Sequence, residues 1–286
     1  MSPIAIITDT DASLPADVAE RYGIEQVSIN VHFGEETVAT GTEINDAQLF
    51  ARVDREGKLP TTSAPSPGQF SVAFQRALDE GAEQIVCLCV SGEVSATYGA
   101  AVVARDTILD ADITVVDTKS LTMGQGFMVL AAAEAAATGA SVDEIVAQAL
   151  DVGQRIHVYA ALSTVKYMAM SGRIGSLAAG MATLLNVKPI LAVQDGKLDL
   201  LERVRTQKKS WARVIELTAE AVGEQPIERM AIVHSNAADE ASLFGEQASE
   251  RLPCPEDVIM AELTPGLSVH SGAGLVGIVA VAGKPG

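Results

Sequence analysis

The stretch Ile85-Val86-Cys87-Leu88-Cys89-Val90, followed by Ser91-Gly92-Glu93-Val94-Ser95-Ala96-Thr97-Tyr98, decides the fold. Six apolar residues in a row make a strand covered on both faces, as in a parallel sheet flanked by helices. Cys87 and Cys89 lie two apart, share one face of that strand, and read as small core side chains. The polar segment that follows predicts a helix from about Ser95 to Leu109, with Ser95 as its N-cap. The loop at the carboxyl end of a parallel strand is where open α/β sheets bind ligands. A capping Ser95 hydroxyl would stand there beside the free N–H groups and positive end of a helix, a setting suited to an anion.

Working outward, strands and helices alternate. Ile4–Ile7 and Gln26–Val31 read as strands, with a helix capped by Ser13 between them and ending near Gly23. Asn45 with Gln48, Ser66 with Gln69 and Ser141 with Glu144 have the spacing of capping boxes. Gly57 and Gly81 suit the ends of the first two of these helices. Ile113–Val116 is a further strand, and helices over Gly124–Thr138 and Val142–Gln154 complete the first half. The second half differs. His157–Leu162 is a strand, followed by a short helix to about Ser171. Val187–Val193 and Leu198–Val204 flank the hairpin turn Asp195-Gly196. A helix at Ser210–Val222, a strand at Met230–His234, a helix at Ala238–Arg251, and strands at Val258–Leu263 and Leu275–Val281 follow. The expected fold is α/β in two domains. Residues 1–156 carry a mainly parallel sheet flanked by helices, and residues 157–286 a mixed sheet with helices.

Composition narrows the function. The 286 residues are 48% hydrophobic and only 4% aromatic, so the core is aliphatic and rich in alanine. A formal charge of -17 repels phosphate backbones and anionic bilayers, which argues against nucleic acid as a partner. Three cysteines without ligand spacing argue against a disulfide framework or a zinc site. No apolar run reaches the ~20 residues of a membrane span. The N-terminal residues lack the pattern of a signal peptide, and the expected location is cytoplasmic.

Several segments could carry chemistry. Thr8-Asp9-Thr10-Asp11 after a strand has the look of a phosphatase nucleophile, yet no metal-binding motif follows to complete it; capping of the next turn is the plainer reading. Pro60-Thr61-Thr62-Ser63-Ala64-Pro65-Ser66 is a hydroxyl-rich loop opening a helix. His270 lies in Ser268-Val269-His270-Ser271-Gly272-Ala273-Gly274, where glycines permit close backbone approach. Arg173 follows Ser171-Gly172. A hydrolase using Ser95 with His270, or Asp9 with Asp11, is the competing reading, but there is no Gly-x-Ser-x-Gly elbow and no nucleotide-binding loop. Singly, these segments indicate a small-anion site in an α/β protein.

In order along the chain, they resemble the DegV family of bacterial fatty-acid-binding proteins. The motifs are Ile6-Ile7-Thr8-Asp9-Thr10 with Asp11-Ala12-Ser13-Leu14-Pro15, Thr61 to Ser66, Ser95-Ala96-Thr97-Tyr98, and Val115-Val116-Asp117-Thr118 with Gly124-Gln125-Gly126. Val165-Lys166-Tyr167-Met168, Ser171-Gly172-Arg173-Ile174, Lys188-Pro189-Ile190-Leu191, Arg205-Thr206 and His270 to Gly274 continue the series. The resemblance implies two domains with an acyl chain buried in the protein and its carboxylate near the interface between them. It implies a non-catalytic, lipid-carrying subunit of a fatty-acid kinase that makes acyl phosphate for phospholipid metabolism, with no cofactor and no metal. A fatty-acid-sensing regulator is the variant with a different partner. Carried onto this sequence, Thr62, Ser95 and His270 would bind the carboxylate. Arg173 would lie near its entrance, Arg205 would dock the kinase, and aliphatic residues between Leu177 and Leu191 would help line the tunnel. Ala64, Ala96 and Ser271-Gly272-Ala273-Gly274 depart from the family's usual Gln, Gly and Thr-Gly-Pro-Gly.

Overall fold

The computed structural model describes residues 4–171 and 187–284. Strands β1 (Ile4–Asp9), β2 (Glu25–Val27), β6 (Gln84–Cys89) and β7 (Asp112–Asp117) form one sheet in the order β2-β1-β6-β7. Every pairing in it is parallel. Helices α3 (Pro67–Asp79) and α4 (Thr97–Thr107) cover one face, where Phe70 and Phe74 pack with Ile85, Cys87 and Cys89. The two thiols lie 3.7 Å apart in that core. Their mutual hydrogen bond and burial hold the Cys89 thiol well above its ordinary pKa.

The other face is covered by α1 (Ala16–Tyr22), α5 (Thr122–Ala137) and α6 (Val142–Gln154). Helix α5 is apolar nearly all round, and only Glu134 and Ala137 along it are not buried. A helix of that kind needs neighbours on every side. The second supplier is a six-stranded sheet in the order β10-β9-β8-β13-β11-β12. Its strands are β8 (Ile156–Ala161), β9 (Lys188–Gln194), β10 (Lys197–Val204), β11 (Ile227–Ser235), β12 (Val258–Glu262) and β13 (Leu275–Ala282). All pairs are antiparallel except β11 with β12. The outer face of this sheet carries α8 (Gln207–Val222) and α9 (Ala238–Ser249), with Trp211 against Phe244. One aliphatic core, containing Met123 and Phe127 of α5, joins residues of both sheets.

The mixed α/β architecture with one parallel and one mixed sheet agrees with the sequence reading, but several elements do not. The expected strand Gln26–Val31 breaks in two. Ile29 is pulled out of the first sheet by an N–H bond to Thr10 Oγ1 at 3.0 Å, while its carbonyl accepts from Thr40. The chain then enters a third sheet, in the order β4-β3-β5, made of β3 (Asn30–Phe33), β4 (Glu36–Ala39) and β5 (Thr61–Ser63). Thr61–Ser63 of the hydroxyl-rich segment is therefore a strand, while the part from Ala64 to Ser66 remains a loop that opens α3. With α2 (Asp46–Glu56), this sheet forms a flap whose small core is Val31, Ile44, Leu49, Phe50 and Val269.

Ser13 does not cap α1. It ends a single 3-10 turn over Thr10–Ala12 with φ 51°, and Pro15 occupies the cap position. A residue before proline avoids the helical region, so Leu14 cannot be part of a helix that begins at Ser13. A last element was unforeseen: α10 (Pro265–Ser271), preceded by α7 (Lys166–Ser171) earlier in the chain. His270 sits in the final turn of α10 and not in an extended glycine segment.

Candidate functional site

The carboxyl ends of β1, β6 and β7 open on a cavity of about 650 Å³, enclosed by the flap on one side and the mixed sheet on the other. This is the edge at which parallel sheets collect ligands. Its apolar wall comes largely from the second sheet, through Val158, Ala160, Leu191, Val193, Val233 and Leu275. Strand alternation turns one set of side chains of β8, β9 and β11 into the cavity while the opposite set packs under α8.

Three elements bring hydroxyl and imidazole groups to the cavity. Strand β5 supplies Thr62 and Ser63, the loop after β6 supplies Ser95, and α10 supplies His270. The His270 Nε2 lies 2.8 Å from Thr62 Oγ1, and which atom donates depends on the imidazole tautomer. Ser95 is half-buried, and its Oγ lies 2.8 Å from Thr97 Oγ1. Ser95 is not the N-cap of α4. Ala96 holds that position with ψ 2°, and the Ser95 hydroxyl instead accepts the Thr97 N–H at 3.3 Å in a tighter turn. The change still leaves Ser95 on the cavity wall, so Thr62, Ser95 and His270 converge on one space.

The competing acid pair is built differently. Asp9 is fully buried and accepts N–H groups from Val90 at 2.8 Å, Asp11 at 3.0 Å and Gln125 at 3.1 Å. Burial pushes its carboxyl up to about 6 despite those donors. It locks the loops after β1 and β6 together through two backbone N–H groups and the Gln125 side chain, and its bond to Asp11 N–H is the capping role. Asp11 does line the cavity and is 3.4 Å from the Thr264 hydroxyl just before α10. Gly266 is required beside it, because a Cβ there would press on Asp11 Oδ1 and on Ile29. Among the described residues no group of three or more His, Cys, Asp or Glu is placed to hold a metal ion.

The rim of the cavity is ionic. Glu93, in the loop that carries Ser95, pairs with Lys119 at 3.4 Å and, from the hairpin of the second sheet, with Lys197 at 3.5 Å. Lys119 also reaches Asp117 at 3.1 Å. Gly196, with φ 80°, lets the hairpin tip approach Ser91 and Lys119. Arg205 is exposed just before α8, whose N-cap is Thr206, and it is not among the described cavity-lining residues. Arg173, and the expected lining residues from Leu177 to 186, lie outside the described residues; Leu191 lines the cavity.

The sequence reading missed the flap residues Ile29 and Ser63, the turn at Leu121 and Thr122, and Gly266, all on the cavity wall. Pro265 directly before Gly266 was the available signal, since proline favours the first position of a helix.

A family profile described as "Uncharacterised protein, DegV family" matches residues 3–283. The chain belongs to the DegV family. A DegV domain-containing protein of Streptomyces coelicolor is 37% identical over 276 residues, covering 96% of this chain and 97% of its own. A DegV family protein from Thermus thermophilus, whose structure is described as fatty acid binding, superposes with a TM-score of 0.90 at 30% identity, over 98% of this chain and 99% of that one. DegV of Bacillus subtilis, described as a fatty acid binding protein, gives a TM-score of 0.88 at 26% identity, with coverage of 98% and 99%. No helix among the described residues is long and apolar enough to cross a membrane.

Proposed function

We propose that this protein binds a long-chain fatty acid, with the acyl chain in the cavity and the carboxylate at Thr62, Ser95 and His270. We further propose that it carries no catalysis of its own and presents the carboxylate to a partner kinase for conversion to acyl phosphate. The observation that carries the reading is a cavity of about 650 Å³ with an aliphatic wall and hydroxyl and imidazole groups brought to it by three separate elements. Its volume lies within the range of about 300–1,000 Å³ usual for small-molecule pockets. Burying a methylene contributes about 0.8 kcal/mol, so ~15 of them contribute ~12 kcal/mol before ordering costs. A charged head group cannot be left unpaired in such a place, and hydroxyl and imidazole donors supply its partners. The Thermus and Bacillus relatives, each described as fatty acid binding, support the same choice of ligand.

Native mass spectrometry of the purified protein tests the first part. A near-stoichiometric adduct of fatty-acid mass, or its appearance on adding palmitate, is the expected result; the apo mass alone in both cases would sink the reading. For the second part, the chain with ATP and magnesium should form no acyl phosphate from palmitate until a fatty-acid kinase is added. ATP turnover by the chain alone would contradict it.

A further inference from the structure

We infer that Asp46 is a positioning residue of the carboxylate end: it anchors α10, and through α10 holds His270 against Thr62. This inference rests on the fatty-acid reading above and extends it to a residue outside the cavity.

Asp46 is the first residue of α2, on the flap, and is 1% exposed. Its Oδ2 accepts the Ser268 hydroxyl at 2.5 Å and the Ser235 hydroxyl at 3.1 Å, and the two serine oxygens are 3.0 Å apart. Both serines are fully buried. Ser235 ends β11, and Ser268 sits on α10 two residues before His270. One carboxyl group thus joins the flap, the mixed sheet and the helix that carries the imidazole. Helix α10 has seven residues, too few to be stable by itself. Its position is set by contacts with its neighbours, among them α7, Val269 in the flap core and Thr264 beside Asp11.

The choice of an acid makes this junction sensitive to protons. Burial pushes the Asp46 carboxyl up to about 7, and the negative charge of Glu262 adds to the rise, while the bonds from Ser268, Ser235 and the Asn236 backbone N–H oppose it. The other titratable groups around it are His234 on β11, 3.9 Å from Glu262, Glu43 ahead of α2, and His270 further along α10. Asp46 also lines a cleft of about 410 Å³ between flap and second sheet, which has Glu43 and Glu262 but no Lys or Arg among its described lining residues. Ionised Asp46 is then a buried anion held by two hydroxyls and the Asn236 backbone N–H, and its burial favours the protonated form. Raising the pH through neutrality should therefore loosen the α10 anchor and weaken the hold on a carboxylate head group.

The test compares palmitate with hexadecanol, which has a chain and no carboxylate, from pH 6 to pH 8.5, on the full-length protein. Asp46→Asn keeps an acceptor for both serines but cannot ionise; Ser268→Ala keeps the acid but cuts its link to α10. Measured against the same ratio in D46N, the wild-type ratio of palmitate to hexadecanol affinity should fall by about fivefold or more over this range. D46N should show only the response of palmitate itself, and in S268A the ratio should be low throughout, with hexadecanol affinity retained. The pH response of free palmitate is common to all proteins and cancels between them. If D46N follows the wild-type pH curve, or if S268A loses palmitate and hexadecanol equally, Asp46 does not position the head group. Should D46N fail to fold in a thermal melt, the comparison of S268A with the wild type across the same pH range decides. A wild type that binds no palmitate at any pH overturns the fatty-acid reading itself, a result distinct from a wild type that binds while its variants behave identically.

Discussion

At the scale of single residues, the distinction between holding a turn and holding a ligand can be measured. Ser95 accepts the Thr97 N–H and also faces the cavity. Ser95→Ala should cost little stability, about 0.5–1.5 kcal/mol for one ordinary hydrogen bond. It should cost more in binding, about 1.5–3 kcal/mol, if the hydroxyl donates to a carboxylate. A titration with palmitate and with its methyl ester separates the two, because only the acid should lose affinity. Thr62→Ala should act in the same way and, because Thr62 is 2.8 Å from His270, should be non-additive with His270→Ala. An unchanged acid-to-ester ratio in each variant would move the head group elsewhere. The sequence already pointed to these three residues, since each stands in a motif with its own polar character. What it could not indicate was that Thr62 bonds His270 across 208 positions, or that Asp46 lies behind α10. Such pairings arise only once flap and mixed sheet are docked.

Helices with local signals were legible, and elements stabilised from a distance were not. Asn45 with Gln48, Ser66 with Gln69 and Ser141 with Glu144 all form capping boxes, because the whole signal lies within four residues. The flap was illegible as a sheet: its strands have three or four residues each, and β5 joins β3 across an intervening helix. Helix α10 was missed because two turns between Pro265 and Gly272 draw their stability from Asp46, Val269 and Thr264 and not from their own periodicity. Among elements, the hairpin of β9 and β10 is open to a direct test. Its tip needs Gly196, both for φ 80° and for the approach to Ser91 and Lys119, and Lys197 pairs with Glu93 beside it. Gly196→Ala should lift the tip off the cavity rim and speed release of a fluorescent fatty acid several-fold. Lys197→Ala should do so more mildly, with an effect that shrinks in salt, since exposed pairs contribute about 0–1 kcal/mol. Equal release rates in stopped-flow for wild type and both variants would show that ligand leaves by another route.

For the molecule as a whole, stability should fall as pH rises from about 5 towards neutrality. Asp9 and Asp46 are both buried, with carboxyls raised to about 6 and about 7, against about 3.9 in an unfolded chain. Between those limits the folded state binds more protons than the unfolded one, so their contribution is whole below pH 4 and lost progressively up to about pH 7. Surface carboxylates act in the opposite sense under acid conditions. The hydrogen bonds from Ser141 hold Glu144 low, and Asp151 is held low by bonds to Lys284 and Arg155 that outweigh its burial. Chemical denaturation should accordingly show a maximum near pH 5 and a decline towards pH 8, shallower in D46N; a stability that rises from pH 5 to 8 would contradict the buried-acid account. Helix α5 carries a different consequence, for the chain while it is being made. It is buried on all sides, with the parallel sheet on one flank and β8, β11 and β13 on the other. Strand β13 lies between β8 and β11, so the mixed sheet has a gap at its centre until Leu275–Ala282 has left the ribosome. At about 5–20 residues per second, the stretch from Ala137 to Leu275 takes on the order of 10 s to synthesise. Throughout that interval the flank of this alanine-rich, apolar helix that meets the mixed sheet is incompletely covered. A nascent chain stalled before β13 should therefore be held by chaperones that a chain released after it no longer needs.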